Sequence, residues 1–133
     1  MPEIIKKDEN GLLNLMHNTQ QGLGFNLPFE RDILLFETYV AGTSHVEGIE
    51  DLVPTFTPGT RLDFFREPEN LYDAMAVLVK NKDGKKIGYI PQRDNLVFAR
   101  LMDAGKQLFG RVTEVELVDD YWYKISMDIF LHE

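Results

Sequence analysis

Ala76-Val77-Leu78-Val79-Lys80 and Lys86-Ile87-Gly88-Tyr89-Ile90 flank the segment Asn81-Lys82-Asp83-Gly84. Two runs of branched and apolar residues around an Asp-Gly step predict a β-hairpin, because Gly accepts the positive φ that such a turn requires. Pro91 ends the second arm. Upstream, Thr60-Arg61-Leu62-Asp63-Phe64-Phe65-Arg66 reads as a strand stopped by Pro68, and residues 33–41 read as another that ends at Gly42. Residues 43–58 hold three acids, two prolines and a glycine and read as a loop. Downstream, Asp94 is placed to cap a helix by accepting a backbone N–H bond. Val97, Phe98, Leu101, Met102 and Ala104 fall on one face of that helix, and Gly105 suits a left-handed stop. Residues 108–118 form a further expected strand, with Gly110 as a candidate bulge. After a turn at Asp119-Asp120, Tyr123, Ile125, Met127, Ile129 and Leu131 alternate with polar residues in a period of two.

This order predicts a mostly β domain with one or two helices: a small, OB-like, partly closed antiparallel β-barrel of about six strands. The barrel is expected over residues 32–133. Residues 1–31 read as an N-terminal extension. Leu12, Leu13, Leu15 and Met16 suggest a short helix there, weakened by Asn14, Asn18 and Gly22, with Gly22, Gly24 and Pro28 as loop.

The chain has 133 residues, 44% of them apolar, enough for one domain with its own core. It lacks cysteine, which excludes disulfides, thiolate metal sites and cysteine nucleophiles. No stretch approaches the roughly 20 apolar residues of a membrane-spanning helix, so no membrane partner is expected. Residues 1–7 do not read as a secretory leader, and a cytoplasmic location is the expectation. The net charge of −8 runs against the basic footprint of most nucleic-acid binders. The charge is uneven, however: residues 1–58 carry −6, residues 59–111 carry +3 and residues 112–133 carry −5. The middle segment is either an ordinary mixed surface or a modest basic groove in an acidic body.

Arg66-Glu67-Pro68-Glu69-Asn70-Leu71-Tyr72-Asp73-Ala74-Met75-Ala76-Val77 places a charged turn and an Asn-x-Tyr-Asp group directly before a buried strand. Asn70 and Asp73 have two readings. Either they bond the turn's own backbone, as Asx residues do, or Tyr72 offers a stacking face and Asp73 an acceptor for a hydroxyl.

These residues resemble the HIRAN family. Tyr39-Val40-Ala41-Gly42-Thr43-Ser44 is similar to its opening strand. Pro58-Gly59-Thr60-Arg61-Leu62, followed by the 66–77 segment, resembles its central Arg-Glu-Pro-x-Asn-x-Tyr-Asp-x-x-Ala-Val motif. Lys86-Ile87-Gly88-Tyr89-Ile90-Pro91 resembles its Ile-Gly-Tyr-Ile-Pro element, and the helix up to Gly105 follows in place. The likeness covers about residues 33–131. It implies a modified oligonucleotide-binding barrel, used in DNA repair and at stalled forks, that grips the 3′ end of single-stranded DNA. By the same resemblance Tyr72 stacks on a base, Asp73 accepts from the terminal 3′-hydroxyl and Asn70 braces the turn or touches the nucleotide. Tyr89 stands at the pocket edge, and Tyr123 or Trp122 forms a further aromatic wall. Ser44 and His45 replace an Arg and an aromatic residue, Leu71 replaces a Pro, Met75 replaces an Asn, and Pro91-Gln92 stands where a Lys can follow. Phosphate contact then falls to a subset of Arg61, Arg66, Lys80, Lys86 and Arg93.

His17, His45 and His132 lack ligand spacing, so no metal and no cofactor are expected. The glycines form no phosphate loop. Ser44, His45 and Asp73 carry no weight as a triad without a pocket geometry. Phe64, Phe65, Phe98, Phe109 and Phe130 read as core. The expectation is a nucleic-acid-end binding module without enzymatic activity. The alternative is a protein-interaction module that recruits a separately encoded helicase or nuclease. A small-molecule binder or hydrolase accessory is a third, weaker reading.

Overall fold

The structure, a computed structural model, describes residues 31–133. The short helix expected around Leu12–Met16, and the rest of the extension before Arg31, lie outside the described residues.

Strand β1 (Asp32–Tyr39) is followed by a 3₁₀ turn (Thr43–His45), a one-turn helix α1 (Ile49–Leu52) and a second 3₁₀ turn (Val53–Thr55). Then come β2 (Arg61–Arg66), β3 (Val77–Lys80), β4 (Lys86–Tyr89), helix α2 (Asn95–Asp103), β5 (Gln107–Val118) and β6 (Trp122–His132). All strand pairs are antiparallel, in the spatial order β1-β6-β5-β2-β3-β4. The two outer strands are therefore β1 and β4, and the chain just after β1 returns to meet β4. The Ala41 N–H donates to the Tyr89 carbonyl at 2.7 Å, and the Tyr89 N–H donates to the Ala41 carbonyl at 2.9 Å. This pair of bonds curls the sheet into the expected partly closed barrel.

Strands β2 to β6 fill the interior, whereas β1 itself has no buried residue. Leu62 and Phe64 of β2, Val77 and Val79 of β3, Ile87 of β4 and Ile125, Met127 and Ile129 of β6 are buried, together with Val40. The alternation read in β6 holds, and it puts Tyr123 on the core side as a partly buried packing residue. The hairpin forms as expected, with Gly84 at φ 85°. Its turn is organised by Asn81, whose buried side-chain oxygen accepts from the Asp83 and Lys85 N–H groups at 3.0 and 2.9 Å.

Several expectations need correction. Residues 43–58 are not an irregular loop, because Ile49 and Phe56 reach into the core and fold the segment into short helical turns. Asp94 does sit at the N-cap of α2, but its carboxylate makes no cap bond. It accepts the Thr38 hydroxyl at 3.0 Å and so ties the helix start to β1. The buried stripe of α2 is Asn95, Phe98 and Ala99, backed by Leu101 and Met102, whereas Val97 is 60% exposed. The helix stops at Gly105 (φ 91°), where the Gly105 and Lys106 N–H groups close back on Met102 and Leu101 at 2.9 and 3.0 Å. That is the Schellman pattern. Gly110 lies in regular register with Leu62 and Ile129, and the irregularity in β5 falls between Val112 and Glu114. Gly110 instead makes room: a Cβ there would stand 2.8 Å from the Phe64 ring. Phe65 is not core. It is 46% exposed, with the Lys80 ammonium 4.8 Å from its ring centre.

Gly88 is the residue that lets the barrel close. A Cβ at this position would lie 2.3 Å from the Ala41 carbonyl oxygen and 2.7 Å from Val40 Cγ1, both fixed parts of the opposite edge. Gly88→Ala is expected to push the two edges apart and lower stability by about 1–3 kcal/mol, the usual cost of overpacking. Urea unfolding checks this; an unchanged midpoint would show that the closure has slack.

Candidate nucleic-acid interface

The connection from β2 to β3 has no regular secondary structure, so its backbone groups need other partners. Arg66 supplies several. Its guanidinium donates to the carbonyls of Ala76 (2.8 Å) and Ala74 (3.1 Å) and forms a two-pronged bond to Asp103 on α2 (2.8 and 3.3 Å). The Asn70 side-chain oxygen accepts from the Tyr72 and Asp73 N–H groups at 2.8 and 3.1 Å. Its amide donates to Glu67 at 3.0 Å. Asp73 Oδ1 accepts the Met75 N–H at 2.9 Å, and Oδ2 accepts from Asn95 Nδ2 at 2.7 Å. The loop is thus rigid at its base, while Leu71 and Tyr72 project from it, each 93% exposed.

Beneath Tyr72 lies an open hollow of about 400 Å³. Tyr72, Asn70 and Asp73 of the loop line it together with Ala41 and Gly42 from the chain after β1. Lys86 and Tyr89 of β4, Gln92 beyond it and Asn95 at the start of α2 complete the polar lining. Tyr89 presents its ring and donates its hydroxyl to Glu67 at 2.8 Å. The Lys86 ammonium stands 4.8 Å from the Tyr89 ring centre. The hydrogen bond from Asn70, then that from Tyr89, holds the Glu67 carboxyl below its ordinary pKa, with Lys86 and Lys80 adding to the effect. Burial, reinforced by the Glu67 carboxylate, raises the Tyr89 hydroxyl above its usual range, so Tyr89 keeps its proton and stays a donor.

The expected site residues divide into three groups. Asn70, Tyr72, Asp73, Tyr89 and Lys86 meet at the hollow. Ser44 and His45 are exposed on the 3₁₀ turn and do not line it. That turn is pinned by its neighbour Thr43, which is buried and donates its hydroxyl to the Tyr123 carbonyl at 2.7 Å. Arg61, Lys80, Arg93 and Tyr123 also stand elsewhere. Arg61 bonds Asp63 at 3.0 Å and covers the Phe109 ring at 4.3 Å. Arg93 sits 5.3 Å from the Tyr39 ring and 3.5 Å from the Asp94 carboxylate. Arg66 is engaged by the loop and by Asp103. Asn70 takes the bracing role, one of the two offered for it.

Asn95, Glu67, Ala41 and Gly42 were not foreseen as site residues, and Gln92 was marked only as a departure from the family pattern. Asn95 had a signal: it stands three and four residues before Phe98 and Ala99, as a polar side chain heading the buried stripe. Choosing Val97 for that stripe hid it. Among the described residues no group of three His, Asp or Glu is placed to hold a metal ion, and no helix is long and apolar enough to cross a membrane.

Two outcomes are expected from this network. Arg66→Lys keeps the charge but loses the fork, so the melting temperature should fall by about 5–10 °C, the scale of 1–2 kcal/mol in a domain of this size. A phosphate-contacting Arg66 would instead leave the melt unchanged. For Glu67 the folded-state pKa lies below the unfolded one, so its contribution to stability is complete above 4.5 and is lost as pH falls through and below that value. Glu67→Gln should flatten that acid limb in urea midpoints measured against pH, and an identical limb in the variant would assign the loss to other carboxylates.

Comparison with known proteins identifies the family. The sequence profile of the HIRAN domain matches residues 33–133. No curated protein sequence matches the chain. A crystallised Lactobacillus plantarum protein, a structural-genomics target, superposes with a TM-score of 0.71 at 28% identity, covering 78% of this chain and 98% of the other. The crystal structure of the HIRAN domain of human HLTF gives a TM-score of 0.57 at 21% identity, over 77% of this chain and 81% of that one. The NMR structure of the same human domain gives 0.51 at 20% identity, over 77% and 80%. With the profile spanning the whole barrel and the same curled sheet in those structures, this chain belongs to the HIRAN domain family.

Proposed function

We propose that this domain is a nucleic-acid-binding module that takes the 3′ end of single-stranded DNA in the hollow under Tyr72. The observation that carries the reading is the exposed Tyr72 ring beside a carboxylate that is already oriented. Tyr72 is held out by the Asn70-braced loop with nothing covering it, and base–aromatic stacking contributes about 1–3 kcal/mol per base. Asp73 is fixed by bonds from Met75 and Asn95 and retains acceptor capacity for a terminal hydroxyl. Tyr89 supplies a second ring in the same hollow, and Lys86 supplies a cation for a phosphate. Free 3′ ends occur in DNA repair and at stalled forks, the setting implied by the family resemblance. In this reading the chain binds and does not catalyse.

Fluorescence anisotropy at low salt tests the proposal. A short strand with a free 3′-hydroxyl should bind more tightly than the same strand bearing a 3′-phosphate, because a phosphate beside Asp73 sets two anions together. Asp73→Asn should remove that preference. Tyr72→Ala should weaken both strands by about 1–3 kcal/mol without altering the melt, since the ring is exposed. Equal affinity for both strands in the wild type would reject end reading, and no binding would turn attention to a protein partner, such as a helicase or nuclease encoded elsewhere.

Salt dependence adds a second check. Each phosphate contact on a single strand contributes about −0.7 to the slope of log K against log salt. With Lys86 the one cation lining the hollow, the slope should be no steeper than about −0.7, and Lys86→Ala should flatten it. A much steeper slope would mean that the strand runs along the cations of the outer face instead.

A further inference from the structure

Asn95 is the most unusual polar residue of the described domain. It is only 3% exposed, it lines the hollow, and its side chain makes one hydrogen bond among the described residues, from Nδ2 to Asp73 Oδ2 at 2.7 Å. An ionised carboxylate only accepts hydrogen bonds, so the Asn95 nitrogen must face Asp73 and the carboxamide oxygen must face away. That oxygen and the second N–H have no protein partner among the described residues. Buried polar groups are rarely left this way, and one that lines a cavity points to a ligand.

Of the other polar groups at the hollow, Gln92 is exposed at its rim and Asn70 is engaged, as is Glu67 behind it. Asn70 Oδ1 accepts two backbone N–H bonds, and Glu67 Oε1 accepts from Asn70 and Tyr89. The buried acceptors of the hollow are the Asp73 carboxylate and the Asn95 carboxamide, which are adjacent because they are bonded to each other, whereas the Gln92 carboxamide stands in solvent at the rim. Two neighbouring acceptors suit two neighbouring donors. A deoxyribose end has one hydroxyl, whereas a ribose end has two on adjacent carbons. The second, the 2′-hydroxyl, both donates and accepts, as a carboxamide does.

We propose that Asn95 is a ligand-contacting specificity residue and that the Asp73–Asn95 pair reads the vicinal 2′- and 3′-hydroxyls of a terminal ribose, so that the preferred ligand is a strand ending in a ribonucleotide. The proposal rests on the end-binding reading above and narrows it from DNA ends to ribose ends. The ligand is a strand end and not a free nucleoside, because the hollow is open beneath an uncovered ring that has room for the preceding base.

The test compares one oligodeoxynucleotide in three forms that differ only at the last residue: 3′-terminal ribonucleotide, 3′-terminal deoxyribonucleotide and 3′-phosphate. One added neutral hydrogen bond predicts about fivefold tighter binding of the ribose end in the wild type. Asn95→Ala and the milder Asn95→Ser should bring that ratio to one. A purely structural role for Asn95 would weaken all three forms and leave the ratio unchanged. The wild-type ratio needs no variant, so misfolding of either one does not spoil the test. Equal binding of ribose and deoxyribose ends, with the 3′-phosphate still rejected, overturns this proposal and spares the end-binding reading. Failure to discriminate the 3′-phosphate, or absence of binding, overturns both. Free adenosine should not displace the ribose-ended strand at matched concentration; if it does, the hollow is a nucleoside site and the strand-end proposal fails.

Discussion

A curled sheet has two edges with unpaired backbone groups, and unpaired edges are open to wrong partners. Here the edges meet at the two hydrogen bonds between Ala41 and Tyr89. The approach is so close that position 88 has no space for a side chain. The candidate site follows directly from this contact. Ala41 and Gly42 form one wall of the hollow, Tyr89 forms another, and the chain leaving β4 starts the helix that presents Asn95. Without the closure these residues would lie at opposite ends of an open sheet.

The loop over the hollow meets a second constraint, the satisfaction of its own backbone. Residues 67–76 lack a strand or helix to pair their N–H and C=O groups, and turn bonds within the loop and polar side chains share that task. Arg66, Asn70 and one oxygen of Asp73 are committed to it. The arrangement makes the loop stiff, which lowers the ordering cost of binding. It also reduces the groups available to a ligand to a small set: the Tyr72 and Tyr89 rings, the remaining lone pairs of Asp73, the Asn95 and Gln92 carboxamides and the Lys86 ammonium. The acidity of the chain as a whole is compatible with such a site, because end recognition relies on stacking and directed hydrogen bonds more than on a long run of phosphate contacts.

Much of this was legible in advance, and the exceptions share a pattern. The strands around the Asp83-Gly84 turn, the helix stop at Gly105 and the two-residue period of β6 all appear where the sequence places them. Asn70, Tyr72, Asp73 and Tyr89 line one hollow. Arg66, Asp94, Tyr123 and Gly110 were placed in the right elements and assigned the wrong tasks. Arg66 clamps a loop to α2, Asp94 ties a helix to β1, Tyr123 packs against the core, and Gly110 yields space to a ring. For three of the four the deciding partner is remote in the chain: Asp103 for Arg66, Thr38 for Asp94, Phe64 for Gly110.

Element types, their order and the motif that marks the family can be read along the chain. Side-chain periodicity, turn glycines and helix stops act over a few residues, and their signals stay within reach of a local reading. Which polar groups remain free for a ligand is settled by the folded arrangement. That outcome depends on hydrogen bonds between segments that meet through folding, such as Asp73 with Asn95, 22 residues apart, or Arg66 with Asp103, 37 apart. A donor or acceptor is available only after every such partner has been placed, and no local pattern in the chain records that.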